Sequence, residues 1–226
     1  MIHYDNVSKI YLDDQVAIQD VNLKIEPGEF VSVVGHSGAG KTTLIKLLLA
    51  EEEPTEGSVY FDDTDIHTLS KHGIRNLRRK IGTVFQDFRL LSKKTAWENV
   101  AFAMETLGKG DDEIASDVPH VLDLVDLRHK MWNFPHEMSG GEKQRLAIAR
   151  AIVNQPDVII ADEPTGNLDP INTYEVIQIL KRVNDLGTTI LLTTHNKGVI
   201  DSLGRRVITM EKGRVVRDDK EGKYVI

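Results

Sequence analysis

At 226 residues, 40% of them hydrophobic, the chain suits one large domain, or a domain with a subdomain, and can bury a core without covalent staples. The absence of cysteine excludes disulfides, thiolate metal sites and cysteine nucleophiles, and it fits a reducing compartment. A net charge of -7 argues against broad nonspecific nucleic-acid binding, which needs a basic face, but leaves room for a local basic patch.

The opening Met1-Ile2-His3-Tyr4-Asp5-Asn6 is polar and does not read as a secretory leader. Apolar runs such as Val158 to Ala161 and Ile190 to Leu192 are too short to span a bilayer, so a soluble, cytoplasmic chain is expected.

In chain order, strands are predicted over His3 to Leu12, Ala17 to Ile25 and Glu29 to Val34, with a turn at Pro27-Gly28. Tyr11, near the end of the first strand, reads equally as an edge aromatic packing on a neighbour. The buried run Phe30 to Val34 then feeds Gly35-His36-Ser37-Gly38-Ala39-Gly40-Lys41-Thr42, which fits the phosphate-binding loop G-x-x-x-x-G-K-[ST], with Thr43 next to it as a further nucleotide contact. The apolar spacing from Lys41 to Ala50 predicts the helix that leaves it.

Glycines at this spacing let backbone N–H groups turn inward around an anion, and the helix start adds unpaired donors and positive charge. Lys41 is placed to reach the β- and γ-phosphates, and the Thr42 hydroxyl to bind Mg²⁺. A nucleoside triphosphate is the expected ligand.

Glu51 to Gly57 reads as an acidic solvated loop, followed by a strand from Ser58 to Asp62. Arg75, Arg78, Arg79 and Lys80 form a basic cluster, read as a solvated face or as a contact for phosphate or membrane. A short strand, Ile81 to Phe85, leads into Gln86.

From about residue 88 to 154 the pattern turns helical, near Thr95–Leu107, Ile114–Val125 and Gly140–Asn154, with breaks at Gly108-Lys109-Gly110 and Asn133-Phe134-Pro135. An all-helical insertion in an α/β domain is expected. Val158 to Ala161 then predicts a buried strand ending in Asp162 and Glu163; taken alone this is a solvated acidic turn, and beside a phosphate loop it is a place for Mg²⁺. A helix over Pro170 to Leu186 and a strand over Thr188 to Thr194 follow, with His195 at the strand's end, where a lone histidine reads as structural. The tail from Arg206 to Val225 reads as short strands with turns at Lys212-Gly213 and Glu221-Gly222.

Met138-Ser139-Gly140-Gly141-Glu142-Lys143-Gln144-Arg145 resembles the LSGGQ signature of the ATP-binding cassette (ABC) ATPases, and the other motifs then match that family in order. The resemblance implies an α/β phosphate-loop NTPase core with an N-terminal antiparallel β subdomain (together 1–87 and 155–226) and an inserted all-helical subdomain (about 88–154). It gives Tyr11 the role of stacking on adenine, Gln86 and Asp162 that of Mg²⁺ ligands with Thr42, Glu163 that of catalytic base, and His195 that of the switch histidine. Gly166 to Asp169 stands where the D-loop belongs. The resemblance also implies a homodimer with ATP between the copies, where Ser139, Gly140, Gly141 and Glu142 of one copy meet the γ-phosphate held by the other.

Without the resemblance, Ser139 to Glu142 is S-x-x-E, a helix capping box. Several positions depart from the family's commonest pattern: Met138 for Leu, Glu142 for Gln, Asn167 where Ala is frequent and Asn196 where Asp is. Glu142 adds negative charge near the γ-phosphate unless it turns away to cap its own helix.

Asp162 to Asp169 resembles the branch of lipoprotein-release, macrolide-export and cell-division ATPases, and Leu77 to Leu91 resembles its cell-division members most. That implies a peripheral location on the inner face of the plasma membrane. It also implies an integral membrane subunit docking near Phe88, Leu90, Leu91 and Trp97, residues that read equally as core of the helical insertion. The rival expectations are a transporter ATPase of the same branch and a soluble ABC ATPase with no membrane partner.

Overall fold

The structure, a computed structural model, describes residues 1–12, 14–220 and 222. The chain divides into two compact units, Met1–Arg78 with Thr189–Ile226, and Arg79–Thr188. No helix among the described residues is long and apolar enough to cross a membrane.

The first unit opens with β1 (Ile2–Ile10) and β2 (Val16–Ile25), then β3 (Phe30–Val34), α1 (Lys41–Leu48), β4 (Glu56–Phe61), β5 (Thr64–Asp65) and α2 (Lys71–Arg79). Strands in the order β2-β1-β4-β5 make an antiparallel sheet. Its apolar residues alternate, Ile18, Leu23 and Ile25 of β2 being buried while their neighbours are wet, as expected of a sheet with one covered face. The buried Tyr4 hydroxyl of β1 donates to the Leu44 carbonyl of α1 at 2.9 Å, and burial pushes its pKa up.

Helix α1 stops two residues short of the expected Ala50, because Ala50 takes a left-handed φ of 50°. Part of the basic cluster has its role here: α2, which the pattern did not reveal, brings the Arg78 guanidinium to the Leu49 and Ala50 carbonyls at 2.9 and 3.2 Å. A cation there suits the negative end of α1.

The second unit holds β6 (Ile81–Phe85), α3 (Ala96–Glu105), α4 (Asp111–Leu124), α5 (Gly140–Ile152), β7 (Val158–Asp162) and α6 (Pro170–Asp185). Described residues between β6 and β7 form only helices, short 3-10 turns and loops. β6 and β7 run parallel in a register that sets Phe85 opposite Asp162. Both α3 and α5 start with a capping box, Thr95 with Glu98 and Ser139 with Glu142.

The chain returns to the first unit through β8 (Thr189–Thr193), α7 (Lys197–Leu203), β9 (Arg206–Glu211) and β10 (Arg214–Asp219). β3 lies between β8 and β9, parallel to both, and its five residues are all buried, which explains an apolar run without alternation. β9 and β10 form a hairpin whose turn residues, Lys212 and Gly213, both have positive φ. Of the expected tail, Glu221 and residues 223–225 lie outside the described residues.

Candidate nucleotide-binding site

In the first unit, β3 ends at Val34 and α1 begins at Lys41, so residues 35–40 close a tight loop on the helix start. Gly40 has φ 104°, and a Cβ there would lie 2.6 Å from the Ala17 carbonyl oxygen. At Gly35 a Cβ would meet the Met210 carbonyl oxygen at 2.3 Å. Only glycine tolerates both the conformation and the approach.

No side chain caps α1, and no acidic residue lies in its first turn. The leading N–H groups, including those near Thr42 and Thr43, therefore keep their pull on an anion. Lys41 folds back: its ammonium donates to the Gly35 and His36 carbonyls at 2.7 and 3.2 Å, inside the loop that a phosphate would enter.

His195 follows β8 as Gly35 follows β3, and the two strands are parallel neighbours with Val33 opposite Thr193. Both residues thus leave the sheet at the same end. His195 is exposed, and Asn196 caps α7 by accepting the Val199 N–H at 3.2 Å, a task asparagine performs as well as aspartate. Tyr11 lies just past β1, half-buried, its amide donating to Gln15 O at 3.0 Å and the Lys9 ammonium over its ring at 5.2 Å.

In the second unit, the register of β6 and β7 brings Gln86 beside Asp162 and Glu163. Gln86 Nε2 donates to Asn167 Oδ1 at 3.3 Å and lies 2.8 Å from where a Cβ on Gly166 would be. Asn167 thus replaces the family's frequent alanine with an acceptor for the glutamine. Glu163 takes a left-handed φ of 49°, a local strain of about 1 kcal/mol for a residue of its kind. Asp169 caps α6 by accepting the Asn172 and Ile171 N–H groups at 3.0 and 2.9 Å, and the backbone and side chain of Asn172 above all hold its carboxyl below the usual range.

Ser139 and Glu142 form a reciprocal cap. The Glu142 N–H donates to Ser139 Oγ at 3.2 Å, and Glu142 Oε2 accepts the Ser139 N–H at 2.8 Å. That backbone donor holds the Glu142 carboxyl below its usual range, and Lys130 stands 3.6 Å from its other oxygen. The extra acid of the signature is turned onto its own helix, where the Ser139 side chain also hydrogen-bonds it and Lys130 partly neutralises it. Met138 is buried, filling an apolar position much as leucine would.

Three contributors were not visible in the sequence. Gly213 of the β9–β10 turn donates its N–H to Ala39 O at 3.2 Å and accepts the Gln19 N–H at 2.8 Å, bracing the phosphate loop from behind. Buried Asn99 fixes Leu91 from both sides, accepting its N–H at 2.8 Å and donating to its carbonyl at 3.1 Å. Arg150 holds the carbonyls of Phe88 and Arg89. A long polar residue on a helix is a weak signal unless its fold partner is known.

Of the residues expected to face a membrane subunit, Phe88, Leu90, Leu91 and Trp97 are each half-buried, and Trp97 stacks on the exposed Trp132 with ring centroids 6.0 Å apart. Among the described residues, no group of three His, Asp or Glu side chains is placed to hold a metal ion alone.

A family model described as ABC transporter matches residues 18–166. The chain is similar to the cell division ATP-binding protein FtsE of Bacillus subtilis (strain 168), with 50% identity over 99% of this chain and 98% of that protein. It is 48% identical to FtsE of Mycobacterium tuberculosis, over 99% of this chain and 98% of the relative. Among solved structures, the dimeric post-hydrolysis state of the ATP-binding cassette MJ0796 bound to ADP and Pi matches with a TM-score of 0.88 and 36% identity, covering 99% of this chain and 100% of that one. A phosphate loop built as described and likeness along the whole length agree: the chain belongs to the ABC transporter family, as an FtsE-like ATPase with that family's phosphate-loop α/β fold.

Proposed function

We propose that the chain is the ATPase subunit of a bacterial division complex, peripheral on the inner face of the plasma membrane. Its partner is an FtsX-type membrane protein, through which it controls peptidoglycan hydrolysis outside the cell. The observation that carries the nucleotide part is the phosphate loop: a helix start without a side-chain cap, held open by glycines, with Lys41 stored on the loop's own carbonyls. The division role rests on the similarity to FtsE proteins over the whole chain.

Tyr11 stacks on adenine, and the N–H groups of residues 35–43 wrap the phosphates. Lys41 leaves Gly35 O and His36 O for the β- and γ-phosphate oxygens. Thr42, Gln86 and Asp162 are the residues that would hold Mg²⁺, which supplies charge neutralisation of the phosphates when bound. Glu163 orients and deprotonates the attacking water, and His195 keeps water and γ-phosphate in line. Two copies pair head to tail, each offering Ser139, Gly140 and Gly141 to the γ-phosphate held by the other. Residues 88–154 act as a helical subdomain on a core of 1–87 and 155–226, and the loop from Phe88 to Leu91 with Trp97 receives the membrane subunit.

Co-expression with an FtsX-type subunit and, as competitor, a lipoprotein-releasing subunit tests this reading, with Glu163→Gln to hold the ATP state. Retention of the division subunit in detergent, lost on Phe88→Asp with Leu91→Asp, is the expected result. Retention of the competitor alone would make the protein a transporter ATPase, and retention of neither would favour a role without a membrane partner.

A further inference from the structure

The segment that carries Gln86 is fastened to one helix, α5, at both ends. Before the glutamine, the wholly buried Gln144 donates its Nε2 to the Phe85 carbonyl at 3.4 Å. Beyond it, Arg150 donates Nη1 to the Arg89 carbonyl at 2.6 Å and Nη2 to the Phe88 carbonyl at 3.1 Å.

Phe88 and Arg89 are consecutive residues with left-handed φ of 60° and 46°, a backbone that bulky side chains disfavour and that needs outside support. The Arg89 guanidinium lies over the Phe85 ring at 3.6 Å and pairs with Asp87 at 3.3 Å, closing the segment on itself. Arg150 is half-buried, and among the described residues no carboxylate pairs with it, so its charge is spent on the two carbonyls. The same helix begins at Ser139. One rigid rod of 13 residues therefore has the signature at its first turn and the loop after Gln86 clamped to its last.

We infer that Arg150 is a positioning residue that ties the loop after Gln86 to the signature helix, so that a displacement of one is carried to the other. It acts through backbone carbonyls and touches neither nucleotide nor metal. The fork of a guanidinium is what the geometry uses: two carbonyls in successive peptides are met by two nitrogens in one plane, which an ammonium cannot reproduce. The inference rests on the proposed roles of Ser139 and Gln86 only for its consequence in turnover, and the clamp itself is testable without them.

The experiment is hydrogen exchange of the full chain in the Glu163→Gln background, with and without ATP and Mg²⁺, comparing Arg150, Arg150→Lys and Arg150→Ala. With arginine, ATP is expected to slow exchange at residues 35–43 and at residues 86–94. In Arg150→Ala the slowing at 35–43 persists, whereas 86–94 exchanges at least about tenfold faster and no longer responds, two charge-assisted hydrogen bonds having been lost. Arg150→Lys gives an intermediate rate at 86–94 and keeps the variant comparison usable where alanine fails to fold.

With Glu163 intact, Arg150→Ala lowers kcat about tenfold while KM for ATP changes less than about twofold, the split expected when positioning rather than binding is lost. The inference is overturned if 86–94 does not respond to ATP with arginine present. It is equally overturned if Arg150→Ala leaves that response intact, or if exchange rises uniformly across the chain. Absence of ATPase activity with arginine in place would instead refute the proposed function and leave the exchange comparison standing.

Discussion

Helix α1 starts behind Gly40, at φ 104°, with no side-chain cap and no acid in its first turn; helix α5 starts behind Ser139, with a hydroxyl and a carboxylate closing a reciprocal cap. Both are positions where the family's resemblance expects phosphate. At α1 the leading donors are satisfied by nothing of the helix's own, and the loop is shaped by backbone packing on Ala17 and Met210. At α5 the N–H groups of Ser139 and Glu142 are already used and the Ser139 side chain is engaged with the Glu142 carboxylate, which leaves the N–H groups of Gly140 and Gly141. The first start is unfinished until an anion arrives. The second is closed by its own cap before any ligand arrives.

The largest effect should come from breaking the loop. Gly40→Ala forces a Cβ to 2.6 Å from a carbonyl oxygen in a left-handed conformation, at a cost of about 1–3 kcal/mol. ATP binding measured by titration should fall at least about tenfold, and Tm by about 2–10 °C.

A sharper contrast comes from Ser139. Ser139→Ala removes the cap and costs about 1 kcal/mol, read as a drop in Tm. Ser139→Asp restores a good cap but places an anion where a hydroxyl donor was. Its Tm should match the serine protein while turnover falls by about tenfold or more. Equal turnover in Ser139→Asp and the serine protein would show that the hydroxyl acts only as a cap, erasing the functional half of the comparison.

The smallest effect is pH-dependent. The Ser139 N–H, first among the causes, holds the folded-state pKa of Glu142 below its unfolded value. The cap's contribution is therefore complete above the ordinary carboxylate value, near about 4.3, and is lost as pH falls through the lowered one. Hydrogen exchange at Ser139–Lys143 should quicken over that acid window with Glu142, and Glu142→Gln should flatten the dependence. The first turn of α1, with no carboxylate, should not share it.

The phosphate loop was legible because its geometry is local. Glycines at fixed spacing, a β-branched run before them and an apolar helix pattern after them suffice. Strands β6, β7 and β8 were legible for a related reason, being short apolar runs bounded by turn or charged residues. Helix α2 was not, since its apolar side rests on Ile74 and Leu77 alone, too short a pattern to stand out among basic and polar residues. The S-x-x-E pattern announced a cap, yet could not say whether Glu142 would face its own helix or a ligand.

The sequence by itself determined the chemistry on offer: a phosphate loop, paired carboxylates after a buried strand, a capped signature helix and the family they belong to. Each is a short-range pattern whose residues act on neighbours within a turn or a loop. The tertiary structure alone decided what holds that chemistry in place. Gly213 braces Ala39, Asn99 fixes Leu91, and Arg150 reaches carbonyls 61 and 62 residues away. Such bonds depend on which backbone groups the fold leaves without partners in secondary structure, and a buried carbonyl must find a donor wherever the chain happens to bring one.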